Sequence, residues 1–164
     1  MLVFYNRYVT FTLRESRPAD FDRLYAIDQE CFPPGIAYSR RELAQFMKLR
    51  GAFTLVAETT SKKIAGFIVA QKHPRGMGHV VTIDVLAPYR RRGLGSLMMK
   101  QVETRVQDAG CDAMFLETAV DNLPAIKFYE RFGYVIVKEL PRYYPNGLDG
   151  YLMVKRFARQ RKKA

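Results

Sequence analysis

Two cysteines, Cys31 and Cys111, are all that the 164 residues contain. They have no CxxC spacing and no histidine nearby, so neither a disulfide framework nor a zinc centre has the parts to form. Reduced, buried thiols in a cytoplasmic protein are the expected state. No apolar run approaches the roughly 20 residues that a membrane helix needs. Met1 to Thr12 mixes aromatics with Asn6 and Arg7 and lacks a basic start, a long apolar core and a small-residue cleavage point, so it does not read as a secretory signal. Internal repeats and linkers are also missing. A length of 164 residues, against about 150 per domain, predicts one domain at 1–157 followed by a basic extension at 158–164.

Acidic residues are outnumbered: 27 Lys and Arg against 16 Asp and Glu leave a net charge of +11. Lys155, Arg156, Arg159, Arg161, Lys162 and Lys163 place six of those charges in the last ten residues, so the body of the chain is only moderately basic. Such a balance favours anionic partners such as nucleic acid, a ribosome or a phosphorylated cofactor, without choosing among them. What is present is a globular mix. With 48% hydrophobic, 13% aromatic and 26% charged residues, disorder and low-complexity architecture are excluded.

Val9 to Arg14 alternates as a first strand, and Ser16, Pro18 and Asp20 introduce an amphipathic helix with Phe21, Leu24, Ile27 and Cys31 inward. Two prolines break Phe32 to Tyr38, and Ser39 with Glu42 forms a capping box for a second helix to about Leu49. Phe53 to Glu58, Ile64 to Gln71 and His79 to Val85 suit an antiparallel meander. A third helix runs through Leu94, Leu97, Met98, Val102 and Val106 and stops near Gly110. Met114 to Thr118 is a buried strand, Asn122 to Arg131 a helix, and Tyr134 to Leu140 and Tyr151 to Phe157 two last strands. The class is α/β.

Arg90-Arg91-Arg92-Gly93-Leu94-Gly95 lies where a strand ends and a helix begins, where free backbone amides and the positive end of the helix dipole meet. Gly93 and Gly95 let an anion approach the main chain, and the arginines stay charged at any physiological pH. A dinucleotide fingerprint fails at Met98 and a P-loop lacks its Gly-Lys-Ser/Thr. Taken alone, the segment reads equally as a helix start with a solvated arginine cluster. Farther on, Asn122 and Tyr129 are seven residues apart and share a helix face, with Glu117 on the preceding strand. Here too a plain reading stands beside the chemical one: Asn122 as a cap ahead of Pro124, Tyr129 as core.

Val85-Leu86-Ala87-Pro88-Tyr89 followed by Arg-x-x-Gly-x-Gly resembles the acetyl-CoA pyrophosphate loop of the GNAT N-acetyltransferases. The likeness runs from about Ile83 through Tyr151 and more faintly back to the first strand. Leu116-Glu117-Thr118, Asn122, Ala125, Phe128-Tyr129-Glu130, Phe132-Gly133-Tyr134 and Arg142-Tyr143-Tyr144-Pro145 are most similar to the ribosomal-protein-alanine and protein N-terminal acetyltransferases. The resemblance implies a mixed, mostly antiparallel, twisted sheet of about seven strands with helices on both faces, and a central parallel pair splayed open to admit acetyl-CoA. It implies that Ile83, Val85, Arg90, Arg91, Arg92, Gly93, Leu94, Gly95, Ser96, Asn122, Ala125 and Tyr129 hold that cofactor. An amide near Val85 is the implied oxyanion donor.

Acetyl transfer to an amine needs a neutral nucleophile, a stabilised oxyanion and a proton for the departing thiol. The resemblance implies Tyr129 as proton donor and Glu117 as base through water. A phenol of pKa about 10 and a thiol of about 8.5 make the first reasonable, and an α-ammonium of about 8 asks little of the second. Asp84 is a rival base, with an ion pair to a neighbouring arginine as its plainer reading. His79 reads as a surface residue, and His73 has no role. Phe32 and Tyr38 in one aromatic loop, and Tyr143 and Tyr144 in another, are the implied acceptor slot together with Glu117. Where these enzymes often carry an acidic pair before the last strand, this chain has Gly147-Leu148-Asp149-Gly150. The expected reaction moves acetyl to the α-amine of a protein or peptide, ribosomal proteins being one candidate, with no metal and no membrane. The basic tail would serve ribosome association. The alternatives are a small amine as acceptor, or an RNA- or ribosome-binding module without catalysis.

Overall fold

Ile64 to Gln71 is an almost unbroken apolar run, and in the computed structural model every residue of the strand Ile64–Lys72 except Lys72 is buried. A strand covered on both faces belongs in the middle of a sheet with helices above and below. The structure describes residues 2–6 and 9–158, and side chains from Thr10 onward. In chain order the elements are β1 (Leu2–Asn6), β2 (Val9–Glu15), α1 (Phe21–Cys31), α2 (Arg40–Met47), β3 (Ala52–Thr59), β4 (Ile64–Lys72), β5 (Gly78–Val85), α3 (Leu94–Asp108), β6 (Ala113–Ala119), α4 (Leu123–Arg131), β7 (Val135–Leu140) and β8 (Gly150–Arg156). The basic extension from Arg159 onward lies outside the described residues.

One eight-stranded sheet runs in the order β1-β2-β3-β4-β5-β6-β8-β7. The seven expected strands are all in it. The eighth, β1, pairs antiparallel with β2 at the edge; no Gly or Pro marks the connection between Asn6 and Val9, so the hairpin has no turn signature. All pairings are antiparallel except that of β5 with β6.

Helix ends follow their local chemistry. The Ser39 hydroxyl accepts from the Glu42 amide at 3.2 Å while the Glu42 carboxylate accepts from the Ser39 amide at 2.8 Å, the expected capping box for α2. Gly110, at φ 90°, follows the end of α3. Tyr134 sits just before β7 instead of inside it; it is buried and donates to Glu103 at 3.0 Å, and Lys155 donates to the same carboxylate at 2.7 Å. Helix α3 and strand β8 are thereby tied together.

The core has two parts, one on each sheet face. Met98 and Val102 of α3 and Tyr129 of α4 pack with Met114, Leu116 and Met153; Leu24 and Ile27 of α1 and Leu43 of α2 pack with Val56, Phe67 and Val69. Strand β5 changes its allegiance along its length. Opposite β4, Val69 faces Thr82 and Ala70 faces Val80, so Val81 is an extra residue, a β-bulge. Its insertion shifts the alternation. Val80, Ile83 and Val85 therefore share the α3 side although 80 and 83 are three apart, while Val81 packs with the α1 side.

The same bulge marks where β5 leaves β6. Their parallel pairing covers only Gly78, His79 and Val80 opposite Met114, Phe115 and Leu116. Beyond Val80 the two strands run on without pairing to each other. Strand β5 is held on its other side by a close backbone approach at Gly66, where a Cβ would stand 2.4 Å from the Asp84 carbonyl oxygen. Gly66→Ala must push β4 and β5 apart, and overpacking of this kind costs about 1–3 kcal/mol. Urea unfolding should show that loss; a midpoint equal to that of the parent chain would contradict so tight a contact.

Candidate active site

Where β5 and β6 part, a cleft of about 620 Å³ opens between them. Along a strand the amides point alternately to the two neighbours. The Leu86 amide is committed to the Ala65 carbonyl at 3.0 Å, so the Val85 amide points the other way, toward the cleft. The Val85 carbonyl on that side accepts from Arg90 Nε at 2.7 Å and from Cys31 Sγ at 3.5 Å.

After β5, a short 3-10 turn at Ala87–Tyr89 leads into the arginine-glycine segment. Arg91 takes φ 61° and Gly93 φ 78°, which turns the chain sharply into α3 with no side-chain cap on its first amides. The amides of Gly93 to Ser96 have no intrahelical acceptor and sit at the positive end of a 15-residue helix. Arg90, Arg91, Gly93, Leu94, Gly95 and Ser96 all line the cleft; Arg92 does not. Glycine serves a different purpose at its two positions. Gly93 needs its left-handed backbone and a Cβ there would meet nothing, whereas a Cβ on Gly95 would lie 3.3 Å from Phe128 Cζ. Gly95 thus lets α3 approach α4.

Ile83, Val85, Asn122, Ala125 and Tyr129 line the same cleft, as do Phe32, Tyr38, Glu117, Tyr143 and Tyr144. Asn122 also caps α4, accepting from the Ala125 amide at 3.3 Å. Tyr129 is buried, and burial pushes its hydroxyl well above the usual phenol range. From the α1–α2 loop, the Tyr38 hydroxyl donates at 3.2 Å to the carbonyl of Val81, the bulge residue that β6 no longer pairs. Tyr143 and Tyr144 meet edge to face with centroids 5.0 Å apart. Burial, with the Glu117 carboxylate nearby, raises Tyr143 to about 12.

Three expectations are corrected. His79 is no surface residue: its side chain is 16% exposed, stacked on Phe115 with centroids 4.3 Å apart, and its Nε2 lies 2.7 Å from Glu117 Oε2. Against an ionised carboxylate that nitrogen is the donor. The signal for this pair was out of reach because it spans the single parallel ladder, with His79 opposite Phe115. Asp84 is 1% exposed and does not line the cleft, since the bulge turns it to the α1 side. It takes a hydrogen bond from the Thr82 hydroxyl at 2.6 Å and, in place of the expected ion pair, makes none with an arginine among the described residues. Cys31 is only half-buried and lines the cleft; both thiols are free, and desolvation pushes that of Cys31 up to about 11.

This arrangement, helix-end amides with two arginines at one end of a strand gap and a carboxylate, an imidazole and phenols at the other, is that of an acyl-transferring enzyme. Residues 21–134 match the model of the acetyltransferase (GNAT) family, and the chain belongs to that family. The N-alpha-acetyltransferase of Saccharolobus solfataricus is 31% identical over 156 residues, 88% of this chain and 92% of that protein. The crystal structure of Ard1 from Thermoplasma volcanium is similar with a TM-score of 0.81 at 26% identity, covering 91% of this chain and 99% of that one. Naa50 of Arabidopsis thaliana, solved with the bisubstrate analogue CoA-Ac-MVNAL, has a TM-score of 0.77 at 26% identity over 90% of this chain and 99% of its own. The protein is an acetyl-CoA-dependent N-acetyltransferase.

The cradle suits coenzyme A. A diphosphate fits unpaired amides and arginines, and a gap lined by backbone edges suits the amide-bearing arm behind it. A β-branched side chain at the φ 78° of Gly93 costs roughly 1–2 kcal/mol in that conformation. Gly93→Val should therefore let the free turn relax out of that conformation, which coenzyme A must then restore, and so weaken its binding about tenfold by calorimetric titration; an unchanged Kd would contradict the assignment of the turn.

Proposed function

We propose that the protein acetylates the N-terminal α-amine of proteins and peptides, with the chain terminus entering between the Phe32 to Tyr38 loop and the Arg142 to Tyr144 loop. The observation that carries this reading is the His79–Glu117 pair at 2.7 Å, in a mouth walled by Tyr38, Tyr143 and Tyr144. Support also comes from a relative named as an N-alpha-acetyltransferase and a neighbour crystallised with a peptide joined to coenzyme A.

Acetyl-CoA supplies the activated acetyl group. Glu117 takes the proton from the incoming amine through a water, and His79 fixes the carboxylate by holding Oε2, which leaves Oε1 for that water. Stacking on Phe115 keeps the imidazole plane from turning. The Val85 amide stabilises negative charge on the acetyl oxygen. Tyr129 stays protonated because it is buried, and gives its hydrogen toward the sulfur. Asn122 holds the arm of the cofactor, and the tyrosine hydroxyls hold the peptide backbone while their rings keep water from the amine. With two free cysteines, a reducing cytoplasm is the fitting setting. The basic residues at 158–164 suit docking on a ribosome, close to newly made N-termini.

Acceptor profiling tests this. Offered acetyl-CoA with free-amine peptides and small amines together, the enzyme should place acetyl on peptide α-amines; modification of small amines alone would contradict it. Glu117→Gln should lower kcat about 10²-fold or more with the affinity for acetyl-CoA unchanged, and Tyr129→Phe should lower kcat similarly. Full turnover by either variant across pH would remove its assignment.

A further inference from the structure

Behind the acceptor loop, two carboxyl groups that the mechanism does not use face each other. Asp28, near the end of α1, is 0% exposed and Asp84 is 1% exposed. The Asp28 carboxylate accepts from the Tyr38 amide at 2.8 Å and from Gln29 Nε2 at 3.2 Å, both on Oδ2; Gln29 Nε2 also donates to the Tyr38 carbonyl at 2.8 Å. Asp84 Oδ1 accepts from the Thr82 hydroxyl at 2.6 Å. That leaves Asp28 Oδ1 and Asp84 Oδ2, both buried and with no other donor among the described residues. The two acids lie close enough to influence one another's protonation, and two bare carboxylates would leave both of those enclosed oxygens without a donor.

Facing the pair are Cys31 on α1, Tyr38 on the loop, Glu42 on α2, Thr82 on β5, Arg90 on the turn and Tyr129 on α4. The cation among these, Arg90, has its Nε on the Val85 carbonyl and forms no ion pair with either acid. Two adjacent buried acids without a bonded cation do not both ionise. Desolvation raises Asp28 to about 6 and Asp84 well beyond its usual range. At neutral pH Asp28, which already takes two donors, is the carboxylate, and Asp84 is the acid.

We propose that Asp28 and Asp84 share one proton, and that the resulting O–H···O bond latches the Phe32 to Tyr38 loop onto β5, so that both act as positioning residues for the acceptor. The link is direct: Asp84 holds Asp28, Asp28 holds the Tyr38 amide, and the Tyr38 hydroxyl returns to the Val81 carbonyl on β5. This inference rests on the loop being the acceptor wall. The sign of its pH dependence follows from the raised values. The unfolded chain loses both protons near pH 4 while the folded protein keeps one. Stability contributed by the protonated form is therefore complete below that pH and declines as pH climbs toward the folded value. Above it the latch becomes a like-charge contact and the loop is released.

Asp84→Asn tests the latch, because its amide can donate to Asp28 while its oxygen still accepts from Thr82, and it has no proton to lose. In the wild type, isotope-edited infrared spectra at neutral pH should contain the carbonyl band of a protonated aspartic acid, and Asp84→Asn should remove it. The protection of residues 32–38 against hydrogen exchange, taken relative to the intrinsic rate at each pH, should fall at alkaline pH in the wild type and not in Asp84→Asn. Asp84→Ala, which strands the Asp28 carboxylate, should raise exchange of that segment and the peptide KM about tenfold while leaving the affinity for acetyl-CoA alone. Absence of the acid band, or an Asp84→Asn loop as mobile as that of Asp84→Ala, overturns the proposal. The acid band and the wild-type exchange profile need no acceptor, so they decide the latch even where Asp84→Ala fails to fold. The peptide KM and acceptor profiling of the wild type decide the reading of the loop.

Discussion

Strands β5 and β6 share three paired residues and then part, and almost everything chemical in this protein depends on that interruption. A parallel pair zipped along its full length would use the main-chain groups of β5 on its own neighbour. Parted, the strands leave the amide of Val85 and the carbonyls of Val81 and Val85 to other partners. The cause is a single inserted residue. Val81 bulges out of the β4 ladder directly after the last β5–β6 rung, and a bulge bends its strand.

That insertion also sorts the side chains. Before it, His79 lies opposite Phe115 and reaches Glu117 across the parallel ladder; after it, Asp84 falls on the α1 side and meets Asp28. Two acids on adjacent strands thus take separate settings: Glu117 lines the cleft and Asp84 is wholly enclosed. The sheet becomes a partition, with the N-terminus of α3 and Tyr129 on one side and Tyr38 with the buried end of α1 on the other.

Features encoded by neighbours along the chain were legible in the sequence. The capping box of Ser39 and Glu42, the stop of α3 at Gly110 and the strand-to-helix turn at Arg90 to Ser96 each lie within a few residues and carry their own physics. The family resemblance supplied the meeting of Glu117, Asn122 and Tyr129 in one cleft. What escaped depends on register. That His79 pairs with Glu117 requires knowing which residues face each other across β5 and β6, and that Asp84 turns away from the cleft requires knowing that Val81 is inserted. Gly95 shows a milder form of the same limit: its lack of a Cβ pointed to a close approach, and the approaching group is Phe128 of another helix. Strand β1 escaped because no Gly or Pro in the sequence separates Asn6 from Val9.

The most direct test is a crystal structure with coenzyme A bound. The diphosphate should rest on the amides of Gly93 to Ser96, the arm should lie in the gap between β5 and β6 past Asn122, and the sulfur should end beside the Tyr129 hydroxyl. A diphosphate lodged elsewhere, or a gap closed by continuous pairing of the two strands with the coenzyme outside it, would contradict the dependence of the chemistry on the parting of β5 from β6.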